Sequence, residues 1–156
     1  MRGKFIDRRW AAPYPAAMHL TTRPLAPDDR AQVIALYDAV GWGAYTADPD
    51  RLIRALAGSS VVATAWDGGE LVGLARVLSD GETIAYLQDI LVRPDHQRRG
   101  IGARLLQTVL EPVAQVRQTV LLTDDEPGQR AFYESVGFTE AHDHSPGMRS
   151  FVRLQP

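Results

Sequence analysis

The passage from Thr83 to Leu110 limits the possible folds more than any other part of the chain. Thr83 to Val92 is apolar at nearly every position, on both faces that a strand would present. Such a run needs cover above and below, which a central strand receives. Asp80-Gly81 just before it is a short-hairpin signal, which makes Leu71 to Leu78 the preceding strand. After Pro94, Gly100-Ile101-Gly102 opens a segment with Leu105, Leu106, Val109 and Leu110 on one helical face. The next β-forming stretch is Thr119 to Thr123, so this region reads strand, helix, strand: a crossover added to an antiparallel meander.

The remaining punctuation fills in the order. Thr21 to Leu25 reads as a first strand ended by Pro27. Asp28 and Asp29 favour a helix start, and Val33, Ile34, Tyr37 and Val40 give that helix one apolar stripe. Gly41-Trp42-Gly43-Ala44-Tyr45 breaks it. Asp48-Pro49 begins a second helix, stopped by Gly58. Ser60 to Trp66 is β-branched and apolar, followed by the turn Asp67-Gly68-Gly69. Gly128 to Val136 reads as a short helix ended by Gly137, with strands around Phe138 and over Met148 to Leu154. The expected order is β-α-α-β-β-β-α-β-α-β-β: an α/β (α+β) fold with a mixed central sheet flanked by helices.

Charge and composition exclude several classes. The net charge is -2, but Arg2, Lys4, Arg8 and Arg9 crowd the start, and Asp7 is the only acid before His19. The body is therefore mildly acidic, unlike a nucleic-acid-binding domain, and leaves room for a cationic substrate. No apolar run approaches the ~18 residues of a membrane span. With no cysteine there is no disulfide framework, thiolate metal site or Cys nucleophile. Prolines 13 and 15 break any helix near the start, so residues 1–18 read as an extension and 19–156 as one domain. The expected location is cytoplasmic.

The chemistry concentrates between Leu91 and Ala103. A helix N-terminus leaves about four N–H groups unpaired and carries partial positive charge, which suits an anion such as pyrophosphate. Gly100 and Gly102 let the backbone approach it, and Arg98 and Arg99 add formal charge. The same glycines also suit tight strand–helix packing. The segment lacks both the Gly-Lys-Ser/Thr of a nucleotide P-loop and the third glycine of a dinucleotide fold. Gln97-Arg98-Arg99-Gly100-Ile101-Gly102 resembles the Gln/Arg-x-x-Gly-x-Gly/Ala signature of the GNAT acetyltransferases, placed as there after the fourth strand. Ala131 to Phe138, with Phe132-Tyr133 and Gly137-Phe138, resembles that family's second signature. The two occur in order, one helix and one strand apart, and the resemblance covers all but the extension.

The resemblance implies acetyl-CoA as co-substrate and transfer of its acetyl group to an amine, expected to be a small molecule, by direct attack on the thioester. It implies coenzyme contacts from the backbone of Ile90, Leu91 and Val92, from Gln97, Arg98, Arg99, Gly100, Ile101, Gly102 and Ala103, and from Phe132. Tyr133 is the implied general acid for the thiolate. Asp89, a carboxylate inside the central strand, is read as a general base or as a structural hydrogen-bonding group; Glu82 and His96 are lesser candidates for the base. Trp42 and Tyr45 are read as acceptor-binding aromatics or as packing in a lid. Asp124 and Asp125 follow the fifth strand where many relatives place an Asn. His142-Asp143-His144 reads as solvated loop, with no metal expected. A homodimer is a possible partner state, and a coenzyme-binding regulatory domain without turnover is the alternative function.

Overall fold

The computed structural model of the chain describes residues 23–155. The expected extension over 1–18, and Thr21 and Thr22 of the expected first strand, lie outside the described residues. The chain divides into two compact units, Met1–Leu121 and Leu122–Pro156. The first contains α1 (Arg30–Ala39), α2 (Gly43–Thr46), α3 (Pro49–Ala57), β1 (Val61–Asp67), β2 (Glu70–Ser79), β3 (Ile84–Val92), α4 (Ile101–Leu110) and β4 (Gln118–Leu121). The second contains α5 (Pro127–Ser135). Among the described residues, no helix is long and apolar enough to cross a membrane.

The first unit is built on a four-stranded sheet in the order β1-β2-β3-β4. β1 with β2 and β2 with β3 are antiparallel, and β3 with β4 is parallel, as a crossover through α4 requires. The expected α/β class with a mixed sheet and flanking helices is therefore the observed one.

The period of two in β2 separates the helices onto opposite faces. Leu74 belongs to a core cluster with Val33, Leu36 and Tyr37 of α1, Leu52 and Leu56 of α3, Trp66 and Leu91. Its neighbour Gly73 turns the other way, toward α4. A Cβ at Gly73 would stand 2.8 Å from Cδ1 of Leu105, 3.2 Å from Cγ2 of Ile101 and 3.3 Å from the Leu91 carbonyl oxygen. The missing side chain thus sets how closely Ile101 and Leu105 of α4 approach the sheet. Gly73→Val is expected to destabilise the fold by about 1–3 kcal/mol through overpacking. Thermal melting reads this as a loss of about 2–4 °C per kcal/mol, and an unshifted melt would show that α4 does not depend on this gap.

Local signals explain the helix starts. Pro49 occupies the first turn of α3, and the Asp48 carboxylate accepts the Arg51 N–H at 3.0 Å. Ahead of α1, the Arg23 guanidinium and the Ala26 N–H hold the Asp29 carboxyl at about 2, below the usual carboxylate range.

Some expected elements differ. Arg23–Leu25 forms no strand: Arg23 N–H donates to the Thr64 hydroxyl oxygen, which in turn donates to the Arg23 carbonyl, so a side chain replaces the ladder. The break at Gly41–Tyr45 contains the single turn of α2, entered through Gly41 at φ 81°. β4 ends at Leu121 rather than Thr123. In the second unit, Phe138 and Met148–Leu154 are irregular. Among its described residues that unit contains no strand, and Phe151 stands 90% exposed.

Candidate active site

The edge of β3 opens where β4 stops. Their pairing runs from Ile84 opposite Gln118 to Leu87 opposite Leu121, and no further. Beyond Leu87, β3 keeps β2 on its other side, with Ile90 opposite Ala75 and Val92 opposite Gly73. The Arg93 N–H donates to the Val72 carbonyl at 2.9 Å, so Arg93 is turned toward β2. By the antiparallel alternation Leu91 also faces β2, while Ile90 and Val92 direct their N–H and C=O groups to the open edge. Of the three backbone positions singled out in the sequence, two present their polar groups there. Leu91 instead contributes a buried side chain to the core.

The following loop folds back on that edge. The Gln97 amide donates to the Val92 carbonyl at 3.1 Å, and the Arg99 guanidinium donates to the Asp95 carbonyl at 2.8 Å. Arg98 sits at φ 59°, a left-handed conformation that a non-glycine residue adopts at some cost in strain. Gly100, at φ 79°, is the N-cap of α4, and its carbonyl accepts the Arg104 N–H at 3.1 Å. The first N–H groups of α4, on Ile101, Gly102 and Ala103, have no acceptor within the helix. Gln97, Arg98, Arg99 and Gly100 are exposed around them, so the loop combines backbone donors with two guanidinium groups.

His96 reaches Asp95 through Nδ1 at 2.8 Å and Asp67 through Nε2 at 3.2 Å. Arg93 bridges Glu70 at 2.6 Å and Asp95 at 3.4 Å. These contacts fasten the loop to the ends of β1 and β2. Glu82 lies in the exposed β2–β3 turn, at the other end of β3 from this loop.

On the α1 side of β3 lies a charged group that is fully buried. Asp89 is 1% exposed. Its Oδ2 accepts from the Tyr37 hydroxyl at 2.8 Å and from Nε of Arg76, and its Oδ1 accepts from the Gln88 amide at 3.4 Å. Arg76 is buried too and reaches the Ala55 carbonyl and the Ser59 hydroxyl, each at 3.4 Å. Burial first, and then the Asp89 charge, push the Tyr37 phenol far up. The Tyr37 ring supports the aromatic loop, with Trp42 at 6.0 Å and Tyr45 at 5.6 Å between centroids. Trp42 and Tyr45 also touch each other at 5.8 Å, and the Tyr45 hydroxyl accepts from Gln88 at 3.3 Å.

Arg76 and Tyr37 went unselected in the sequence. The signal for Arg76 was a lone base inside β2, but the ladder slips between Arg76 and Val77, so that Asp89 and Leu87 become their partners and Gln88 is extra. A regular hairpin register would not have paired Arg76 with Asp89.

In the second unit, the sequence Tyr133 to Phe138 closes α5. Gly137, at φ 92°, donates to the Glu134 carbonyl and Phe138 donates to the Tyr133 carbonyl, the paired bonds of a Schellman stop. The Phe138 ring meets the Tyr133 ring edge-on at 5.9 Å, with Phe132 on Tyr133 at 5.1 Å. Tyr133 is buried, and burial raises its phenol above its ordinary value, against a smaller lowering by a Thr123 hydrogen bond. Asp124 and Asp125 are exposed after β4. Ligand atoms of Glu140, His142 and Asp143 lie within 4.8 Å of one another. Arg130 already bridges Glu140 at 3.1 Å and Asp143 at 2.7 Å, so a cation of the protein occupies this cluster. His144 is apart from it, against the Pro146 carbonyl.

The sequence matches the family described as Acetyltransferase (GNAT) domain over residues 37–156. It is 29% identical over 123 residues to an uncharacterized N-acetyltransferase, ycf52, of Pyropia yezoensis, covering 76% of this chain and 69% of that protein. The fold is similar to that of a GNAT family acetyltransferase, SP0256 from Streptococcus pneumoniae. That similarity has a TM-score of 0.74 and 29% identity, and covers 88% of this chain and 98% of that one. An aminoglycoside N-acetyltransferase, AAC(6')-Iy, solved in complex with CoA, shares the fold at a TM-score of 0.66 and 18% identity, covering 90% of this chain and 97% of that one.

Proposed function

This chain belongs to the GNAT family and is an acetyltransferase, and on that premise we propose that it transfers acetyl from acetyl-CoA directly to a small-molecule amine. The observation that carries the reading is the open edge of β3 running into the N-terminus of α4. A pantetheine arm is an extended amide chain and pairs with such an edge as an added strand would. The pyrophosphate takes the N–H groups of Ile101, Gly102 and Ala103, with Arg98 and Arg99 beside it. Gln97 and Gly100 shape the loop, and Phe132 is the further coenzyme contact that the resemblance implies.

In the reaction, the amine nitrogen attacks the thioester carbonyl carbon and the C=O π pair moves onto oxygen. The outward N–H of Ile90 supports that oxyanion. Collapse re-forms C=O and breaks C–S. The departing thiolate takes a proton from a general acid, the role that the resemblance implies for Tyr133, which regains one from solvent; the acetylated nitrogen releases its own proton to solvent. Trp42 and Tyr45 form the acceptor wall, where aromatic faces suit an aryl amine or an ammonium group.

The test is thiol release from acetyl-CoA with a panel of arylalkylamines, polyamines, amino acids, aminoglycosides and peptides. Release that depends on one class of small amine is expected. Coenzyme A at 100 times its Kd should stabilise by about 2.7 kcal/mol, visible as a raised Tm. A raised Tm with no release from any amine would favour a coenzyme-binding domain without turnover.

A further inference from the structure

We infer that Tyr37 and Arg76 are positioning residues that act through Asp89, and that Asp89 holds the acceptor wall against β3 rather than taking the proton of the amine. The inference rests on the acetyl-transfer reading for what the wall does, but not for how the wall is held.

The bulge is the starting point. An extra residue in β3 puts Gln88 and Asp89, which a regular strand would send to opposite faces, on the same side. Their own contact confirms it: the Gln88 amide reaches Asp89 Oδ1. From there Asp89 meets the Tyr37 hydroxyl and Gln88 meets the Tyr45 hydroxyl. Tyr37 carries the rings of both Trp42 and Tyr45, and its carbonyl accepts the Trp42 N–H at 3.0 Å. The wall is therefore joined to β3 at two adjacent residues, immediately after Leu87, where the open edge begins. Arg76 fixes the carboxylate from the opposite strand and from α3.

The same geometry argues against proton transfer at Asp89. A general base must come within about 2.6–3.2 Å of the proton it removes, directly or through one water. Asp89 is 1% exposed, and both of its oxygens already accept hydrogen bonds from protein groups.

Tyr37→Phe tests this, because it removes only the hydroxyl and keeps the ring that packs. Amide hydrogen exchange needs no acceptor. A hydrogen bond to a charged group corresponds to about ten- to a hundredfold, so exchange across residues 42–46 is expected to quicken by at least about tenfold, with α4 unchanged. With a panel amine that is turned over, KM for the amine should rise by about tenfold. kcat should stay within about twofold and the pH profile should keep its shape.

Unchanged exchange at 42–46, or equal acceleration in α4, would overturn the inference. So would an Asp89→Asn variant that keeps wild-type exchange yet loses about 10²-fold or more in rate, with its acidic limb abolished, because that is the signature of a base. If wild-type protein turns over no amine, the acetyl-transfer reading fails, and the exchange result still decides how the loop is held.

Discussion

Tyr133→Phe is expected to lower kcat by about 10²-fold or more while leaving the KM for acetyl-CoA nearly unchanged. General acid catalysis contributes about 10²–10⁴-fold, and the thiolate has no proton until a donor supplies one. The substitution is mild structurally, since Phe keeps the ring that meets Phe132 and Phe138 and the backbone stop at Gly137 needs no hydroxyl. The pH dependence has a definite sign. Burial raises the Tyr133 phenol above its ordinary value, so the acid form persists beyond pH ~10. Acceptor amines lose their protons over the same range. The wild-type rate should therefore climb with pH and fall only above ~10, and Tyr133→Phe should abolish that alkaline fall. Full turnover in the variant with the fall intact would remove Tyr133 from the chemistry.

The signature around Tyr133 shows which local features of the candidate site are legible in a sequence. Gly137 and Phe138 are local devices: one allows the left-handed stop, and the other packs on the tyrosine one turn back. Gly100 is likewise local, a positive-φ N-cap at the start of α4. Short-range chemistry of this kind is written in consecutive residues, as are the Asp80-Gly81 turn and the capping of α3 by Asp48. What could not be read depends on register and partners. The slip at Arg76 decides that Asp89 meets a guanidinium, and nothing in β2 or β3 alone announces it. Gly73 lies inside the expected strand Leu71 to Leu78, and no neighbouring residue signals that Leu105 and Ile101 stand where its side chain would be. Met148 to Leu154 alternates well enough to suggest a strand, but a ladder needs a second chain segment, which a pattern cannot supply.

The buried network also yields the largest expected effect on stability. Arg76→Ala should cost about 3–5 kcal/mol, the usual penalty for removing one partner of a buried ion pair. At about 2–4 °C per kcal/mol for a chain of this size, the melting temperature should fall by roughly 6–20 °C. Most of this comes from stranding the buried Asp89 carboxylate rather than from losing an attraction. Removing all the polar partners together should therefore be far milder. Arg76→Met with Asp89→Leu leaves the Tyr37 hydroxyl buried without an acceptor, at about 1–3 kcal/mol. Adding Tyr37→Phe removes that last penalty, and the triple variant should melt close to the wild type. If Arg76→Ala behaves like a surface substitution, within about 0.5 kcal/mol, the pair is not buried as described. A triple variant that folds well yet needs far more amine for half-maximal rate would separate the two roles of these residues, because their contribution to the fold can be replaced by apolar packing and their grip on Trp42 and Tyr45 cannot.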